Sequence, residues 1–210
     1  NLNKTPIQKV LGGNVRLGFW LPHIDKRLQL VFDIGIEDIK TNKPELKGPA
    51  SLSAEDEIRY QAFLPIVNRT FQEGTLKWFG LELIKDTRDH QVYPKNGYKI
   101  SVGSKLAPPG INGQFSYLKT EMEGSYYTPL IDKFIMGDSL VLGLHGKLGN
   151  IRELSQSRPV PYKELFHMGG QTTVRGFVWG SIGPAWFTGD PLGARNALLF
   201  NSELIFPLIP

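Results

Sequence analysis

The 210 residues carry 24 Lys and Arg against 20 Asp and Glu, a net charge of +4 that is too small and too scattered to form a nucleic-acid-binding stripe. With no cysteine, a disulfide framework, a cysteine nucleophile and a thiolate metal site are all excluded. Residues 1–4 lead into no apolar leader core, and no run reaches the roughly 18 apolar residues of a membrane-crossing helix; a membrane barrel stays open, because its strands need only about ten residues of alternating polarity.

Apolar residues recur with period two in seven successive runs, which predicts antiparallel strands. In the first, Val15, Leu17, Phe19 and Leu21 alternate with Asn14, Arg16, Gly18 and Trp20. The second sets Leu28, Leu30, Phe32, Ile34 and Ile36 against Gln29, Val31, Asp33, Gly35 and Glu37. A third spans residues 74–85, with Phe79, Leu81 and Leu83 opposite Trp78, Gly80 and Glu82. In the fourth, Tyr98, Ile100, Val102 and Leu106 alternate with Lys99, Ser101, Gly103 and Lys105. The fifth alternates Leu118, Thr120, Met122 and Tyr126 with Lys119, Glu121, Glu123 and Ser125. Leu140, Leu142, Leu144 and Leu148 make the sixth, against Ser139, Val141, Gly143, His145 and Lys147. The seventh places Leu198, Phe200, Leu204 and Phe206 opposite Ala197, Asn201 and Glu203. The runs are about ten residues long, beyond the usual five or six and suited to a tilted strand crossing a hydrocarbon layer. No helix longer than about two turns is expected.

The connections are unequal. Residues 38–72 and 149–195 form two long links, whereas turns are expected at 21–26, 86–96, 107–113 and 127–137. If the strands run up and down, both long links lie on one side, as in outer-membrane barrels with short periplasmic turns and long external loops. A structureless link as long as 149–195 is acceptable if it folds back into a lumen. There is no internal repeat or linker, and residues 1–210 read as one domain.

Within that link, Gly169-Gly170-Gln171-Thr172-Thr173-Val174-Arg175-Gly176-Phe177 sets one arginine among glycines and apolar residues. A guanidinium held away from water requires a carboxylate. Glu203, on the polar face of the strand after the loop, is the best-placed candidate. Gly170 and Gly176 are expected to allow close backbone approach, with Val174 and Phe177 filling the space beside the tip. The segment resembles the loop signature of the BamA-type outer-membrane insertase superfamily. The resemblance extends to residues 86–98, similar to a strand–turn–strand unit of that family, to Ile182-Gly183-Pro184 after the loop, and to residues 201–207, whose Glu203 stands where the family has the arginine's partner.

The resemblance implies an antiparallel transmembrane β-barrel with a long inward-folded loop, locked by Arg175 on Glu203. About seven of its roughly sixteen strands would be present here. The chain is accordingly expected to be a fragment of a C-terminal barrel domain, with the periplasmic POTRA repeats and the terminal strands outside it. The implied function is insertion and folding of other β-barrel proteins in the cell outer membrane of a Gram-negative bacterium. The partners would be unfolded outer-membrane protein clients, the lipid bilayer and accessory lipoproteins bound through the periplasmic domains, with no nucleic acid. A polypeptide secretion transporter of the same superfamily is the alternative, and a soluble β-sandwich binding module is the alternative from another class. No catalytic residue, metal ligand or cofactor is expected. His23, His90, His145 and His167 lack metal-ligand spacing, and no nucleophile elbow is present. Asp86, Asp89 and His90 read as a polar turn, and Glu121 and Glu123 as partners of Lys119 and Lys147 in an ion-pair network.

Overall fold

The computed structural model describes residues 7–42, 68–135, 138–185 and 191–206, with isolated positions at 58, 61, 62, 64 and 65. Seven strands follow the seven alternating runs: β1 Ile7–Trp20, β2 Leu28–Asn42, β3 Gly74–Asp86, β4 Gly97–Ala107, β5 Tyr117–Ile135, β6 Asp138–Glu153 and β7 Asn196–Ile205. They form one antiparallel sheet in the order β1-β2-β3-β4-β5-β6-β7, open between β1 and β7. Up-and-down order places the connections after β2, β4 and β6 on one side and those after β1, β3 and β5 on the other. Both long links therefore share a side, as expected.

Period-two alternation has a physical outcome opposite to that of a soluble sandwich. The apolar residues of every run lie on the bare face: Phe32, Phe79, Val102, Met122 and Leu148 are all exposed, and Leu198 and Phe200 reach 78% and 69% exposure. No second sheet covers them among the described residues, which removes the sandwich alternative. A continuous apolar face of this extent marks contact with hydrocarbon rather than water. No helix among the described residues is long and apolar enough to cross a membrane.

The opposite, inner face is charged along its middle and apolar at the long-loop end. There Ile39, Leu76, Trp78, Ala107, Phe115, Tyr117, Ile151 and Ala197 from the strand ends and the β4–β5 loop pack with Val160 and Phe166 of the β6–β7 loop. Ring seats are cut into the sheet at two glycines: a Cβ on Gly35 would strike the Trp78 indole, and one on Gly149 the Phe166 ring. The helical positions between residues 58 and 70 lie in what was expected to be plain loop, and residues 43–57 are outside the described set. Phe71, just after them, is buried with its ring centroid 4.8 Å from that of Tyr162, and Arg69 bonds Glu153 at 2.8 Å, so this link also closes over the long-loop end.

Several boundaries differ from expectation, and β2 runs to Asn42 and β6 to Glu153, each into the long link expected after it. β1 starts at Ile7, well before the first clear alternation. The turn expected over 127–137 is mostly strand: β5 runs to Ile135 and β6 resumes at Asp138. Pairing with β4 ends at Gly97↔Tyr127, so residues 128–135 have only β6 beside them. Pro129 is tolerated on such an unpaired edge, where a missing N–H costs no ladder bond, and the register shifts after it show the local irregularity.

Candidate functional site

The link between β6 and β7 folds back over the inner face and is fastened at two levels. Its base is the 3-10 turn Tyr162–Glu164, followed by a reciprocal pair of backbone bonds between Phe166 and Ala194, both 2.9 Å. The Tyr162 hydroxyl donates to the Pro191 carbonyl at 2.9 Å, tying the outgoing arm to the returning one. Glu164 points into the wall, and its side chain is only 8% exposed. Lys105 Nζ on β4 donates to Glu164 Oε1 at 2.6 Å, and Lys119 Nζ on β5 donates to the Glu164 carbonyl at 3.0 Å and lies 3.8 Å from Oε2. Lys163 Nζ is 3.6 Å from Oε1 and also pairs with Glu37 of β2. Lys105 and Lys119 are direct cross-strand partners, an arrangement of like charges that is unfavourable unless an anion sits beside them. Lys105 also lies 4.2 Å from the Trp78 ring centroid, and Lys119 4.7 Å from that of Phe166. Burial pushes the Glu164 carboxyl up, but Lys105, Lys119 and Lys163 together outweigh it and hold the group below the usual glutamate range. Breaking a buried pair of this kind costs about 3–5 kcal/mol, because the remaining charge is left without a partner.

His167 follows the base. It stacks on Trp179 with centroids 5.1 Å apart, and its Nε2 lies 3.3 Å from the Tyr162 carbonyl. Burial lowers its pKa, which favours neutral imidazole.

The tip is a self-bonded turn. Gly170 N–H donates to the Phe177 carbonyl at 2.9 Å, and the Thr173 hydroxyl donates to the Gly169 carbonyl while accepting from its N–H, both at 2.8 Å. Gly169, Gly170 and Gly176 have φ of 110°, 92° and 86°, so all three occupy the region that a Cβ disfavours. Close approach occurs at Gly169, where a Cβ would meet the Val178 carbonyl, and not at Gly170 or Gly176, which have no such tight neighbour. Ile182 N–H donates to Met168 O at 3.1 Å and closes the turn behind the tip.

Arg175 Nη2 lies 2.7 Å from Glu203 Oε1 of β7, and Asn201 Nδ2 on the same inner face donates to the Thr173 carbonyl at 2.9 Å. In the open sheet of residues 1–210 the Arg175 and Glu203 side chains are 73% and 41% exposed. Phe177 is exposed and Val174 half-buried in that sheet, where the tip stands beside β7, the last of the strands.

Elsewhere on the inner wall, Lys147 Nζ lies 3.1 Å from Glu121 and 4.0 Å from Glu123, and Lys119 lies 3.5 Å from Glu121. These lumen-type ion pairs give the two carboxylates partners. Asp89 accepts the N–H groups of His90, Lys95 and Asn96, and His90 Nδ1 accepts those of Val92 and Tyr93. The Asp89–His90 set is thus occupied in shaping the β3–β4 turn.

A seven-stranded up-and-down sheet with an apolar outer face, a charged inner face and an inward loop is a barrel wall seen from its lumen. A family model described as the Omp85 superfamily domain matches residues 2–210. The chain belongs to the Omp85 superfamily. Its Omp85 relatives include a SAM50-like protein of Schizosaccharomyces pombe, 33% identical over 125 residues, covering 59% of this chain and 25% of the relative. A SAM50-like protein of Drosophila melanogaster is 27% identical over 126 residues, covering 60% and 26%. The outer membrane protein assembly factor BamA of Neisseria meningitidis serogroup B is 26% identical over 140 residues, covering 65% and 16%. Among solved structures, BamA from Haemophilus ducreyi lacking POTRA domains 1–3 superposes with a TM-score of 0.70 at 19% identity, covering 97% of this chain and 38% of that one. The chain thus spans about a quarter or less of the length of these curated relatives. The fold is that of an Omp85 outer-membrane barrel, and the relatives include an outer membrane protein assembly factor.

Within this Omp85 wall the structure brings together Arg175 and Glu203, as the loop motif suggested. It also assembles an anchor of Glu164, Lys163, Trp78 and Phe166 that reading the sequence missed. One signal was available: Glu164 is the only acidic residue between positions 154 and 189, and the wall opposite carries Lys105 and Lys119.

Proposed function

We propose that this chain forms part of the wall and the inward loop of a barrel that inserts and folds other β-barrel proteins in a bacterial cell outer membrane. On this reading residues 1–210 are a fragment of a C-terminal barrel domain. The clients are unfolded outer-membrane proteins, the second partner is the lipid bilayer, and accessory lipoproteins attach through periplasmic domains. The work is non-covalent: a client strand adds its backbone bonds to a barrel edge, and no catalytic group or cofactor takes part. The observation that carries the reading is the β6–β7 loop, folded onto a charged inner wall with Arg175 on Glu203. The resemblance in sequence to an assembly factor supports it.

The test is insertion of an unfolded barrel client into liposomes containing the full-length protein, followed by the heat-modifiable mobility of the folded client. Wild type is expected to accelerate insertion. Arg175→Ala and Glu203→Ala are each expected to slow it by at least about fivefold, the equivalent of about 1 kcal/mol for loss of a charged hydrogen bond. Insertion at the rate of empty liposomes overturns the reading. Export of a single dedicated partner with no client insertion would instead identify a polypeptide secretion transporter.

A further inference from the structure

The two fastenings of the loop differ in how many strands share them. The Arg175–Glu203 pair joins the tip to β7 alone, whereas Glu164 at the base is enclosed and faces three lysines from β4, β5 and its own turn. The base also has reach. Lys163 extends the network to Glu37 on β2, Lys119 extends it to Glu121, and the Trp78 and Phe166 rings lie against the same lysines. A charge placed there is shared by β2, β4, β5 and the loop, and its loss leaves opposed lysines facing each other. We propose that Glu164 is the positioning residue of the inward loop: its carboxylate, shared among Lys105, Lys119 and Lys163, fixes the loop base to the wall, so that Arg175–Glu203 serves as a latch that can open while the loop stays docked. The consequence for client insertion rests on the function proposed above; the docking itself does not.

The experiment is amide hydrogen exchange, read by mass spectrometry on the full-length protein in lipid nanodiscs. Leu165, Phe166 and Ala194 report on the base, and Gly170 and Thr173 on the tip, since each of these N–H groups is bonded to a backbone carbonyl. Arg175→Ala is expected to speed exchange at the tip and leave the base unchanged. Glu164→Gln keeps the shape and removes the charge, and it is expected to speed exchange at the base about a hundredfold and carry the tip with it. Glu164→Asp, which restores the charge on a shorter stem, is expected to recover most of the protection. Should Glu164→Gln fail to reach the membrane, Lys163→Met against Glu164→Asp decides: base exchange must rise in Lys163→Met and stay near wild type in Glu164→Asp. Unchanged base exchange in Glu164→Gln, or in Lys163→Met where it stands in, overturns the proposal. So does base opening in Arg175→Ala. Because exchange is read without any client, a failed insertion assay leaves this result standing, and the reverse also holds.

Discussion

The base and the tip of the inward loop use the same chemistry, a carboxylate against a cation, in two environments. At the base the Glu164 side chain is buried, the Trp78 and Phe166 rings lie against its lysines, and the ion pairs gain strength because water is kept out. At the tip, Arg175 and Glu203 are at an equally short distance but join the loop to β7 alone. Short distance is therefore a poor guide to which contact holds the loop. What decides is how many strands share an enclosed charge, because such a charge cannot turn to solvent when a partner leaves.

The largest effect that bears on this contrast is expected from Phe166→Ala. It empties the ring seat over Gly149 and uncovers Lys119, at a cost of about 3–5 kcal/mol, and it is checked by the temperature at which the folded barrel loses its heat-modifiable mobility. An unchanged midpoint would mean that the base is not the stronger region. Glu164→Gln follows in the same assay, at a similar or slightly smaller cost of about 3 kcal/mol. Acid offers a third route without mutation. The Glu164 carboxyl sits below its ordinary value of 4.5 in the folded protein, so its stabilisation is complete above that value and is lost as pH falls through the lower, folded pKa. Loop exchange, corrected for intrinsic rates, is expected to stay protected at pH 5 and to open at the base in stronger acid, and Glu164→Gln is expected to abolish that dependence. The smallest effect is expected from Arg175→Ala, which removes one pair to one strand, a shift of about 1.5 kcal/mol in barrel stability. A loss as large as that of Phe166→Ala would reverse the ranking of the two regions.

Much of the wall was legible in one dimension. Residues such as Phe79, Leu81 and Leu83 alternate with Trp78, Gly80 and Glu82 because a strand turns successive side chains to opposite faces, and neighbouring strands keep that order without help from distant residues. The number of strands, their sequence order, the side carrying the long links and the pairing of Arg175 with the residue at position 203 all follow from such local rules or from motif resemblance. The end of β5 did not, because Pro129 reads as a breaker until it is known that β4 stops at Gly97 and leaves that edge free.

Which face meets lipid and which meets a loop was settled by alternation, a property each strand carries alone. Whether a given charge is worth keeping was settled by enclosure, a property no single segment has. Arg175 was matched to Glu203 by motif resemblance, and the structure sets the two 2.7 Å apart. Glu164 stands in no motif read from the sequence and is enclosed, since lysines from β4 and β5 meet at it and rings from β3 and the loop lie against those lysines, from positions far apart in the chain. Dielectric surroundings are built by many segments at once, and for that reason they appear only when the chain is folded.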